Sequence, residues 1–175
     1  MLKTNLTIIC LNNRYGKNLA KRVADSLDMF FVNIEDILEY NLINDDMLKS
    51  AGKNYFDKKE EKAIKGLSTY ENSLFCGNFT LFSKGNNIDV FKKNSYLIYI
   101  YFTKDALEKF DKTNDGFEQM VAFEQENEFC EQNADIVIKG TEDEDFDLQE
   151  IQNELVIFFK NKQDVGDDVW QKNNV

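Results

Sequence analysis

The sequence predicts a three-layer α/β/α domain in which a parallel sheet is covered by helices on both faces. Two observations carry this. Short apolar runs rich in β-branched and aromatic residues alternate with stretches of helical periodicity along the whole chain. The clearest runs, residues 6–11 (Leu-Thr-Ile-Ile-Cys-Leu) and 96–102 (Tyr-Leu-Ile-Tyr-Ile-Tyr-Phe), have no polar alternation, so both their faces must be buried.

In chain order, the 6–11 strand meets a polar loop with turn chemistry, Asn12-Asn13-Arg14-Tyr15-Gly16-Lys17-Asn18. Leu19, Ala20, Val23, Ala24 and Leu27 then recur at helical spacing, and Phe30-Phe31-Val32 starts a second strand. Residues 35–50 read as one helix, and 55–70 as a mostly exposed helix whose Asp-Lys-Lys-Glu-Glu-Lys run is a solvated face. A third strand covers 73–75. Residues 79–94 are ambiguous, with a turn at Gly85-Asn86-Asn87. After the 96–102 strand, helices are expected at about 104–111 and 116–132, a strand at 135–138, and a last amphipathic helix at 146–160. The acidic run 141–145 precedes that helix and suits capping its positive end. Residues 1–160 therefore form a single domain and 161–175 a polar C-terminal tail.

Composition narrows the function classes. A chain of 175 residues with 42% hydrophobic content and 15 phenylalanines can build one full core. No apolar run approaches the roughly 20 residues of a membrane span, and the N-terminus lacks a signal-peptide layout, which points to the cytoplasm. The net charge of −11 disfavours nucleic acid and anionic membrane as partners. There is no histidine, so the usual general base and the commonest metal ligand are absent. Cys10, Cys76 and Cys130 have no ligand spacing and read as reduced thiols, Cys10 and Cys76 buried in strands. Without proline, helix starts must rely on Asp, Asn, Ser and Thr caps. Residues 111–116 imitate the start of a calcium loop, but Ala122 stands where the bidentate glutamate is needed.

A strand, a loop ending in Gly16-Lys17, a helix and a second strand form the setting of a phosphate-binding loop. Against the pattern G-x-x-x-x-G-K-[ST], Leu11 replaces the first glycine and Asn18 the hydroxyl residue. Together with Phe31-Val32-Asn33-Ile34-Glu35, the stretch from Gly52 to Glu60, Cys76-Gly77-Asn78 and Ala134-Asp135-Ile136-Val137-Ile138, the chain resembles shikimate kinase over residues 6–160. That is a family of small P-loop kinases in the nucleoside monophosphate kinase group. The resemblance implies a five-stranded parallel sheet in the order 2-3-1-4-5, with ATP and Mg²⁺ as cofactors.

It also assigns roles, and the departures fall on those roles. Arg14, Gly16, Lys17 and Asn18 stand at the nucleotide loop, where Leu11 and Arg14 occupy glycine positions that let N–H groups approach phosphate. Asn18 and Asn33 stand at the magnesium positions in weakened form, so no metal ligand set is complete. Glu35 takes the place of the catalytic base. Glu35, Asp57 and Gly77 line the substrate pocket, with Asp57 where an arginine would clamp the shikimate carboxylate. Glu126 replaces a second arginine, and no arginine lies between residues 110 and 132 to serve the transferring phosphoryl group. Three readings follow: a degenerate kinase acting by weak nucleotide or ligand binding or by regulation, an active ATP-dependent kinase with another substrate, and a scaffold with a protein partner.

Overall fold

The computed structural model describes residues 3–67, 69–106 and 118–172, with side chains described outside 118–122 and 163–172. The elements run β1 (Asn5–Cys10), α1 (Asn13–Ser26), β2 (Phe30–Asn33), α2 (Ile34–Tyr40), α3 (Asp45–Ala51), α4 (Lys53–Leu67) and β3 (Ser73–Gly77). They continue with α5 (Phe79–Ser83), α6 (Asn87–Asn94), β4 (Ser95–Tyr101), α7 (Glu118–Asn133), β5 (Ile136–Lys139) and α8 (Glu144–Lys172). All pairings are parallel, in the order β2-β3-β1-β4-β5. That is the sheet order that the resemblance implies.

Strand alternation divides the core in two. Leu6, Ile8 and Cys10 of β1 face α1 and α8, where Leu19, Val23, Ile151 and Leu155 complete one cluster. Ile9 with Phe75, Leu97 and Tyr99 faces the other way, onto Leu38, Ile64, Phe82, Phe91 and Cys130. The apolar runs of β1 and β4 follow directly, since both strands are central and covered twice. At the β5 edge, Ile136 and Ile138 are buried while Val137 is exposed.

Asparagine replaces proline as the helix starter. Asn12, Asn33, Asn44 and Asn78 each accept a backbone N–H of the helix they open, at 2.9, 2.9, 3.3 and 2.9 Å. Each such cap is worth about 1 kcal/mol relative to alanine.

Several boundaries differ from the sequence reading. Helix α1 begins at Asn13 and not near Leu19, because Asn12 caps it and Asn13, Arg14 and Asn18 form its exposed N-terminal face. The helix expected over 35–50 is two, broken where Leu42 takes a φ of 57° and Asn44 starts α3 afresh. The ambiguous 79–94 stretch is α5 and α6. Helix α8 runs on to Lys172, into residues expected to be a polar tail. Residues 104–106 are helical. The rest of the helix expected at 104–111, the calcium-like segment 111–116 and residues 116–117 lie outside the described residues.

All three cysteines are buried and free, and burial pushes each thiol from 9.0 up to about 12. A pKa raised in the folded state favours folding below the unfolded value and loses that favour as pH climbs toward the folded one. Stability should therefore fall as pH rises from 9 to 12, while native thiols at pH 8 should resist alkylation until denaturant is added. Rapid labelling of the native protein would contradict this burial.

Candidate functional site

Only Leu11 and Asn12 separate β1 from α1. The Asn12 side chain accepts the Tyr15 N–H at 2.9 Å, and its carbonyl accepts the Gly16 N–H at 2.8 Å. Two N–H groups at the helix start are thus already bonded. Gly16 sits in the first turn of α1, against the strand. A Cβ there would lie 2.6 Å from the Cys10 Cβ, closer than such atoms come, so the glycine is what lets α1 rest on β1.

The next residues reach outward. Lys17 Nζ meets both carboxylate oxygens of Asp36, at 2.9 and 3.0 Å. The Asn18 amide donates to Glu144 at 3.4 Å, and Arg22 pairs with Glu144 and Asp145. Arg14 is exposed, with no ion pair among the described residues.

Tyr15 turns inward. Its hydroxyl donates to Asp147 at 2.6 Å, beneath the start of α8. Asp147 is fully buried and also accepts the Thr141 N–H at 3.0 and 3.1 Å and the Thr141 hydroxyl at 2.7 Å. Burial first, then the Asp147 carboxylate, raise the Tyr15 pKa. Asp143 caps α8, as expected of the acidic run, through the N–H groups of Asp145 and Phe146. The first half of α1 is therefore fastened to the first turn of α8. Tyr15, Asp147, Asp36 and Lys84 were not singled out from sequence, and only the acidic run before α8 hinted at any of them.

The carboxyl ends of β2 and β3 hold another group. Asn33 Oδ1 caps α2 through the Asp36 N–H. Glu35 Oε1 accepts the Asn78 N–H at 2.5 Å, tying α2 to the turn after β3. Gly77 lies under Ile34 and Phe82, 3.2 and 3.4 Å from where a Cβ would be. The structure thus brings Lys17, Glu35 and Gly77 to one end of the sheet, where ligands of open parallel sheets bind.

Asp57 is engaged elsewhere, bonded to Lys84 at 2.7 Å, and Lys84 also meets Glu60 at 2.8 Å. The Lys84 ammonium holds the Asp57 carboxyl below its usual range. Burial of Lys84 opposes its own charge, but its bonds to Asp57 and Glu60 prevail and raise its pKa. Glu126 is half-buried in α7, and burial raises its pKa.

The family model of shikimate kinase matches residues 16–156, starting at Gly16. The chain belongs to the shikimate kinase family. Solved structures agree on the fold. Shikimate kinase from Aquifex aeolicus superposes with a TM-score of 0.69 at 20% identity, covering 86% of this chain and 96% of that one. The enzyme from Bacteroides thetaiotaomicron gives 0.69 at 12% identity, covering 87% and 98%. The one from Acinetobacter baumannii, in complex with shikimate, gives 0.63 at 14%, covering 90% and 94%. No curated protein matches the sequence. Among the described residues no helix is long and apolar enough to cross a membrane.

The close approach of α1 to β1 yields a direct test of what Gly16 is for. Gly16→Ala forces a Cβ onto Cys10 and should cost about 1–3 kcal/mol in urea unfolding, as overpacking does. An unchanged midpoint would mean that packing does not require the glycine.

Proposed function

We propose that this member of the family has kept the fold without shikimate kinase activity, and acts in the cytoplasm by weak nucleotide or small-molecule binding or by regulation. The observation that carries this is at the β1–α1 turn. A phosphate cradle needs unpaired N–H groups at a helix start, and those of Tyr15 and Gly16 are bonded to Asn12. Lys17, the cation that would meet the phosphates, is turned to Asp36. The side chains at the magnesium positions do not fit Mg²⁺ well. Asn18 and Asn33 bring no carboxylate or hydroxyl, and the Asn33 oxygen already caps α2. Glu35 is bonded to the Asn78 N–H, which ties up the candidate base.

The substrate side supports the same reading. Acids at Asp57 and Glu126, where arginines would clamp a carboxylate, replace attraction with repulsion. An active kinase for another substrate is the second reading, favoured by Lys17, Glu35 and Gly77 meeting at one end of the sheet. Without an arginine at position 57 its substrate would be uncharged or cationic and not an acid.

Shikimate should produce no increase in ATP consumption at saturating Mg²⁺. A shikimate-dependent rate of roughly 1–10³ s⁻¹, the ordinary enzyme range, would overturn the proposal. Calorimetric titration should find ATP binding weak, reduced by salt, reduced in Lys17→Ala, and little affected by Mg²⁺. Tight, Mg²⁺-dependent binding would favour the active kinase. No binding to either protein would leave the scaffold.

A further inference from the structure

At the opposite end of the sheet from Lys17, a cavity of about 590 Å³ opens where β1 and β4 begin. Its walls are Leu6 of β1, Leu27 just after α1, Tyr96 of β4, and Leu155, Val156 and Phe159 of α8. Lys3 and Lys160 stand at its margin. The volume lies in the ordinary range for small-molecule sites of about 300–1,000 Å³.

Charge singles the place out. The chain carries −11 overall, yet Lys3 and Lys162 both lie over the Tyr96 ring, 4.9 and 4.7 Å from its centroid, and Lys160 stands elsewhere in the lining. Asp135 draws Lys3 only at 3.9 Å, while Lys160 and Lys162 make no ion pair among the described residues. The amide of Gln152, also in the lining, has no hydrogen bond among the described residues. Two ammonium groups at the Tyr96 wall of an apolar hollow, and a third in its lining, leave a positive margin that an anion would complete.

We infer that this cavity binds a small amphipathic anion, its apolar body lying against Leu155 and Phe159 and its single carboxylate or phosphate head held by Lys3 and Lys162 beside Tyr96. A concave wall set between α1, α8 and the sheet suits a free molecule better than a flat lipid surface. The site shares no residue with the β1–α1 turn, so it stands whether or not nucleotide binds there.

Decanoate and decyl phosphate, below their micellar concentrations and at low salt, should bind in calorimetric titration, with decanol and decylammonium as controls. Either anion binding supports the site. Removing charge-assisted contacts in the double variant Lys3→Gln, Lys162→Gln should weaken binding by about tenfold or more. Val156→Trp, at a position 53% exposed on the lining, should block it with the fold intact by circular dichroism. Failure of both anions at millimolar concentration, equal binding of decanol, or binding untouched by both variants would each overturn the inference.

Discussion

Helix α1 rests on β1 at Gly16, and most of the molecule's functional end follows from that close approach. With two residues between strand and helix, the chain must turn at once, and Asn12 makes the turn by capping the helix it starts. The helix then lies near enough to Cys10 that only a glycine fits. This seat fixes the directions of its neighbours in the sequence. Tyr15 is driven down toward Asp147, while Lys17 comes out beside Asp36 at the end of β2. Asn18 and Arg22, about one turn apart, both meet the acidic start of α8.

Asp147 shows the cost of this arrangement and how it is met. A carboxylate fully removed from water is strongly disfavoured unless hydrogen-bonded, and three donors converge on it: the Tyr15 hydroxyl, the Thr141 hydroxyl and the Thr141 N–H. Losing one would leave a buried acceptor underused, so these residues act as a unit. The unit ties the turn after β5 to the turn after β1, across the carboxyl ends of the strands.

The sheet was legible in the sequence because its signal is local. Uniform apolar runs placed β1 and β4 within about a residue of where they lie, and the family resemblance supplied their order. The start of α1 was not legible. Asn12-Asn13-Arg14-Tyr15 is polar enough to read as a loop, and a cap is recognised only once the helix behind it is known. Site partners were harder still. Asn78 reaches Glu35, and Lys84 reaches Asp57, through packing between elements far apart in sequence, which no periodicity encodes. The residues bearing the family motifs could be named, but what satisfies each of them could not.

The two kinds of partner differ in how firmly they hold. Lys17–Asp36 is an exposed pair, of a type worth about 0–1 kcal/mol, so an arriving anion could displace the aspartate at little cost. The bonds that Asn12 makes to Tyr15 and Gly16 are different, because one caps the first turn of α1 and the other is a backbone bond of that turn. Freeing the Gly16 N–H means unwinding the turn, which would also pull Tyr15 from Asp147, while the Tyr15 N–H is released only by giving up the Asn12 cap. A charge for phosphate thus remains within reach, while the backbone cradle is committed to the fold. That asymmetry supports the proposal of weak, salt-sensitive binding centred on Lys17 over tight nucleotide capture.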